Sequence, residues 1–169
     1  MQIGVNTVLF GGHDLETAFK WIKTCGYDAV ELSAIGSMSN HINLSQWQEQ
    51  APEIRELSER YELPIQAMEQ PSQDPVVMEM AFQAAVAIGI PVVNCGPGGV
   101  MDDEESFQKT VDSLGSLADM AARYGVTLCA KAHVKAAVWN TPTTLRLLDA
   151  ITNPSFGLDM DPSHIYRAN

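Results

Sequence analysis

The chain of 169 residues is long enough for one domain with a sizeable core, and its 46% hydrophobic and 18% charged residues are those of an ordinary globular protein. A net charge of −11 excludes a surface built for nucleic acid, which relies on clustered Lys and Arg. No stretch reaches the roughly 18 apolar residues that cross a bilayer, because the longest, Ala81 to Val93, is broken by Gln83, Gly89 and Pro91.

Gln2 to Thr7 predicts a strand that begins almost at Met1 with no basic or apolar leader before it, so a cytoplasmic protein is expected. Gly11-Gly12 follow, and a helix starts near Asp14, with Leu15, Phe19 and Ile22 on one face. Gly26 offers its C-cap, and Asp28 to Ser33 is the second strand. Ser45-x-x-Gln48 fits a capping box for a second helix whose apolar stripe runs through Ile54, Leu57 and Tyr61. Pro64 to Met68 is the third strand, and Pro75 to Ile88 the third helix, facing inward with Met78, Ala81, Ala85 and Ile88. Pro91 to Cys95 is the fourth strand, and the fourth helix runs from about Asp103 to Tyr124 with Phe107, Val111, Leu114 and Ala118 on its apolar face. Val126 to Ala132 is the fifth strand; Thr141-Pro142, an N-cap followed by proline, opens the fifth helix. Phe156 to Met160 is the sixth strand.

Gly26, Gly89 and Gly125 each stand between a helix and the next apolar run, punctuating the roughly 30-residue βαβ unit of a parallel sheet. The expected fold is therefore α/β, and residues 1–169 read as a single domain. No G-x-G-x-x-G follows the first strand, which removes the fingerprint of a dinucleotide-binding sheet. Polar residues gather instead near the ends of successive strands: Glu31, Glu69, Asn94, Lys131 with His133, and Asp161. A TIM-type barrel collects such ends into one catalytic ring, but a full barrel takes about 250 residues. The reading is an incomplete TIM-type (β/α) barrel of six units, whose open edges predict a homo-oligomer.

Three stretches carry a family resemblance. They are Ile3-Gly4-Val5-Asn6-Thr7 with Gly26-Tyr27-Asp28-Ala29-Val30-Glu31-Leu32; Gly125-Val126-Thr127-Leu128 leading to Lys131-Ala132-His133; and Gly157-Leu158-Asp159-Met160-Asp161-Pro162-Ser163-His164. In series these resemble the xylose-isomerase-like TIM barrels of the sugar-phosphate isomerase/epimerase family. The resemblance implies an isomerase or epimerase acting on a keto or aldo sugar, or its phosphate, through an enediolate. It implies a divalent metal (Mn, Mg, Co or Zn) held by a carboxylate at strand five, an Asp at strand six, a His at strand seven and a carboxylate at strand eight. Asp161 matches the strand-six ligand and His164 stands where the family contacts substrate, whereas Lys131 occupies the strand-five position in place of a carboxylate.

Lys131 and His133 share a strand face. Lys131 has three readings: a fixed cation stabilising an oxyanion, a Schiff-base nucleophile, or the partner of Asp159 or Asp161 in an ion pair. Asp159 and Asp161 could hold a cation or exchange a proton, or Asp161 could cap the turn at Pro162-Ser163. Glu69, with Lys131 and His133, is a candidate catalytic residue. Glu31, Asn94, Gly98, Gly99, Trp139 and His164 are candidate substrate contacts. The run Gly96-Pro97-Gly98-Gly99 could nest a phosphate, or simply turn the chain. His13 and His41 are expected to be solvated loop residues, and Trp21 and Trp47 core residues, while Trp139 could wall a sugar site. Cys25, Cys95 and Cys129 lack disulfide or zinc spacing and read as small buried hydrophobes. The function expected is sugar isomerisation or epimerisation, with a Lys131 aldolase or a non-catalytic, self-assembling barrel fragment as alternatives. A small-molecule sugar is the expected partner, with neither nucleic acid nor membrane.

Overall fold

The computed structural model describes residues 1–39 and 41–168. Six parallel strands alternate with helices in a TIM-barrel-like α/β fold. The order is β1 (Gly4–Asn6), α1 (Leu15–Thr24), β2 (Ala29–Ser33), α2 (Trp47–Tyr61), β3 (Ile65–Glu69), α3 (Pro75–Ile88), β4 (Val92–Cys95), α4 (Glu104–Tyr124), β5 (Thr127–Lys131), α5 (Thr141–Ala150), β6 (Phe156–Asp159) and α6 (Pro162–Arg167). All six expected strands and five expected helices occur in sequence. Strand ends shift by one or two residues, and the short α6 follows the turn at Asp161. Among the described residues no helix is long and apolar enough to cross a membrane.

The chain divides into two compact units. In the first, Met1–Gln70 with Met80–Val93, β1 pairs with β2 and β2 with β3, all in parallel. Ala29, Val30 and Leu32 of β2 are all buried, the near-continuous apolar reading of a parallel strand covered on both faces. α1 adds Ala18, Phe19 and Ile22 to the core and α2 adds Ala51, Ile54 and Leu57. Burying each large side chain of this kind stabilises the fold by about 1.5–3 kcal/mol. The exposed pairs Arg60–Glu16 and Lys23–Glu62 contribute far less.

Four expectations are corrected in this unit. Trp21 is 49% exposed, because two positions beyond Phe19 on a helix lies on the opposite side; its ring instead meets the Lys20 ammonium at 5.9 Å. Trp47 is only half-buried. Cys25, at the C-terminal cap of α1, is exposed rather than buried. The capping box at Ser45 does not form. A 3-10 turn at Leu44–Gln46 comes first, and Asn43 Oδ1 accepts from both the backbone N–H (3.1 Å) and the hydroxyl (2.8 Å) of Ser45. α2 therefore starts without a side-chain cap. It ends at Glu62, whose φ of 51° is the left-handed conformation usually left to glycine.

The second unit comprises Pro71–Glu79 and the chain from Asn94 on. Here β5 pairs in parallel with β6, bringing Lys131 opposite Asp159. α4 buries Phe107, Val111, Leu114, Leu117, Ala118 and Ala121, a face wider than the four residues the periodicity identifies, and Asp103 caps its start. The N-cap of α5 is Asn140 rather than Thr141: the Asn140 side chain accepts from Thr143 N at 3.0 Å, which moves proline from the first to the second helical position.

Candidate functional site

In the first unit Asn6, at the end of β1, meets Glu69 at the end of β3 and Glu31, which lies in the middle of β2 rather than at its end as expected. Its Nδ2 donates to Glu31 Oε2 at 2.9 Å and to Glu69 Oε2 at 2.6 Å. The amide cannot be turned around, because Oδ1 already accepts from Val8 N–H at 2.9 Å, capping the 3-10 turn Thr7–Phe10. Glu31 and Glu69, which the sequence presents as separate strand-end carboxylates, thus share one donor. Sequence reasoning misses Asn6 as a site residue; the signal it offers is a polar residue closing an otherwise apolar strand. His41 is the other correction here. It is 5% exposed, not solvated, and its Nε2 lies 3.1 Å from the His13 carbonyl, while His13 itself is exposed. The loop carrying it is pressed against the loop after β1, where a Cβ on Gly11 would run into the Met38 carbonyl oxygen.

In the second unit Lys131 Nζ lies 3.2 Å from Asp159 Oδ2, with both side chains mostly buried. This is the ion-pair alternative for Lys131, formed across the β5–β6 register. His133 Nδ1 is 2.9 Å from the Val134 carbonyl. A carbonyl only accepts, so Nδ1 is the donor in this contact. The rings of His133 and His164 stack at 4.1 Å between centroids, tilted by 35°. Burial lowers the His164 pKa from its ordinary value, and His133 beside it acts in the same direction against the opposing carboxylate of Asp161.

Asp161 serves the turn. Its Oδ1 accepts from Ser163 N (2.9 Å), Ser163 Oγ (2.6 Å) and His164 N (3.2 Å), capping α6. Burial pushes its carboxyl up, but the Ser163 and His164 hydrogen bonds and the nearby His164 ring outweigh this and hold it below the usual range.

Asn94 is buried at the end of β4. The glycine run beyond it is packed as a turn. Gly98 and Gly99 have φ of 64° and 69°, and a Cβ on Gly99 would lie 2.6 Å from Ala137 Cβ and 2.8 Å from the Ser106 and Thr110 hydroxyl oxygens. Beyond the run, the N–H groups of Val100 and Met101 are bonded to Ser106 Oγ and the Lys135 carbonyl. Gln73 Nε2 donates to the Gly96 carbonyl at 2.9 Å, a second contact that nothing in the local sequence announces. Trp139 is half-buried, and among the described residues its indole N–H has no hydrogen-bond partner.

Residues 19–169 match the family described as Xylose isomerase-like TIM barrel. The chain belongs to that family. No curated protein matches the sequence at a significant level. Solved structures similar to this xylose isomerase-like barrel include the IolI protein with a bound zinc atom, at TM-score 0.82 and 16% identity over 100% of this chain. They also include the probable 3-DHS dehydratase AsbF from Bacillus anthracis, at TM-score 0.80 and 16% identity over 99% of this chain. A third is a D-allulose 3-epimerase from Methylomonas sp. in complex with D-allulose, at TM-score 0.76 and 18% identity over 98% of this chain. The barrel spans 66%, 65% and 64% of those three chains respectively, just under two-thirds.

The family's divalent metal does not fit the residues this chain supplies. Among the described residues no group of three or more His, Cys, Asp or Glu side chains could hold one. At the strand-five position stands an ammonium that is already ion-paired, and the Asp161 oxygen nearest its own helix accepts three hydrogen bonds. The ammonium at the strand-five position repels a cation where the family has a carboxylate, and the cap of α6 engages Oδ1 of Asp161.

Proposed function

We propose that this chain is a sugar isomerase or epimerase that moves a proton on the carbon next to a carbonyl, through an enediolate, with the β5–β6 rim supplying the chemistry in the second unit. The observation that carries the reading is the ion-paired Lys131 two residues from an imidazole with a protonated Nδ1. A fixed ammonium stabilises the negative charge that develops on the substrate oxygen without reorganising. His133 Nε2 takes the α-proton and returns it. His164 and Trp139 contact the sugar, with Asn94 as a further polar contact. Gly98 and Gly99 set the turn after β4, and Asp161 holds His164 in place through its backbone N–H. No step runs through a metal.

An aldolase reading of Lys131 has less support, because a Schiff base needs a neutral amine and the carboxylate of Asp159 favours the cation.

The test is deuterium uptake from heavy water at the carbon beside the carbonyl, followed by NMR with panels of ketoses, aldoses and their phosphates. Uptake with at least one sugar, lost in Lys131→Met and in His133→Asn, is expected. A wild-type chain that exchanges none of them would sink the reading, and borohydride trapping of a substrate on Lys131 would replace it with the aldolase.

A further inference from the structure

We propose that His164 is a positioning residue for proton transfer, its ring forming the platform that holds the imidazole of His133 in one plane. This rests on the reading of His133 as the group that moves the α-proton, and both residues lie in the second unit.

His133 stands just beyond β5 and is exposed, so solvent borders much of its side chain. Its backbone is fixed at both ends: the N–H donates to the Val138 carbonyl at 3.0 Å, and the carbonyl accepts from Ala136 N at 3.1 Å. The ring is held by two contacts of different kinds. Nδ1 donates to the Val134 carbonyl at 2.9 Å, which selects the edge turned toward that carbonyl. The ring of His164 lies against it at 4.1 Å between centroids, tilted by 35°, and this sets the plane. An edge and a plane together give Nε2 one direction.

His164 is anchored as a support. Its backbone N–H donates to Asp161 Oδ1 at 3.2 Å, its carbonyl accepts from Ala168 N at 3.2 Å, and only 17% of its side chain is exposed. Its ring nitrogens are not engaged in holding it. Among the described residues the buried Nδ1 has no hydrogen-bond partner, and Nε2, 3.8 Å from Asp161 Oδ2, is beyond hydrogen-bonding distance. What the ring offers His133 is therefore its face. A base on an exposed side chain otherwise keeps its rotameric freedom, and a misplacement of about 1 Å can cost about 100-fold in rate.

Substitution separates the face of His164 from its nitrogens. His164→Phe keeps a flat ring, His164→Gln keeps much of the volume without a ring, and His164→Ala removes both. All three should raise KM, because the polar contact with the sugar goes with the imidazole. If the face positions His133, the saturated deuterium-exchange rate falls by about 10- to 100-fold in His164→Gln and His164→Ala, and by no more than about threefold in His164→Phe. Equal losses of kcat in His164→Phe and His164→Gln, or none in His164→Gln, overturn the proposal. Should His164→Ala fail to fold, His164→Gln carries the comparison. A readout independent of turnover is the NMR signals of the carbon-bound protons on the His133 ring, assigned by their loss in His133→Asn. They should stand away from free-histidine positions in the wild type and His164→Phe, and move toward them in His164→Gln; signals that stay in place in His164→Gln overturn the proposal alone. Absence of exchange in the wild-type chain is a different failure, which removes His133 as the base and this role with it.

Discussion

The imidazole of His164 lies against that of His133, ring centroids 4.1 Å apart, with its Nε2 3.8 Å from Asp161 Oδ2. At 3.8 Å the carboxylate is too far for a hydrogen bond but near enough to attract a protonated ring. Burial, then His133, and more weakly Arg167 and Lys131, disfavour that protonation and outweigh Asp161, so the His164 pKa is lowered.

A pH dependence of stability follows from this pair. A histidine whose folded pKa is depressed binds its proton first in the unfolded chain. As pH falls from about 6.5, the ordinary imidazole value, the unfolded state takes up more protons and the folded state loses stability until the folded ring also titrates. Asp161 acts in a lower window: its depressed pKa contributes stability above the usual carboxylate range, which is lost as pH falls through the folded value. Urea midpoints measured at pH 7.5, 6 and 5 should drop less in His164→Gln than in the wild type. Parallel curves for the two proteins would show that this ring is not the source of the acid sensitivity.

Two glycines should respond oppositely to alanine. Gly11 sits where the loops after β1 and β2 touch, and its added methyl would collide with the backbone carbonyl of Met38, which has no side-chain freedom to yield. Gly11→Ala is expected to lower stability by about 1–3 kcal/mol. Gly115 lies inside α4 with nothing within 4 Å of where a methyl would stand, so Gly115→Ala only restricts the unfolded chain and removes a poor helix former. A gain of about 0.5–1 kcal/mol is expected. Thermal unfolding of both variants checks the signs. A neutral Gly11→Ala would mean that the two loops do not approach as closely as described.

The cysteines should differ sharply toward a thiol reagent in the native state. Cys25 is exposed, whereas burial, with Cys129 nearby, pushes the Cys95 thiol up to about 12. Burial and the Asp159 charge raise that of Cys129 as well. Because the thiolate is the reactive species, Cys25 should be labelled quickly while Cys95 reacts only on unfolding. Mass spectrometry of tryptic peptides after brief alkylation reads this directly. Early labelling of Cys95 would contradict its burial.

The alternation of strands and helices is legible in the amino-acid sequence alone, because apolar period and glycine punctuation are local properties that survive without knowledge of what packs where. Equally legible are the positions of Glu69, Lys131 and His133 at or just beyond strand ends, and the turn that Asp161 introduces, whereas Glu31 falls in the middle of β2. The partners of these residues come from packing. Glu31 and Glu69 are 38 positions apart in the chain, and the strand register is what brings both to one amide of Asn6. Lys131 could have paired with Asp159 or Asp161 on spacing alone; the β5–β6 ladder puts Asp159 opposite it, and α6 claims Asp161 as its cap. Trp21 and His41 follow the same division. A tryptophan in an apolar helix and a histidine in a loop carry no local mark of exposure or burial, since each depends on which face another element covers.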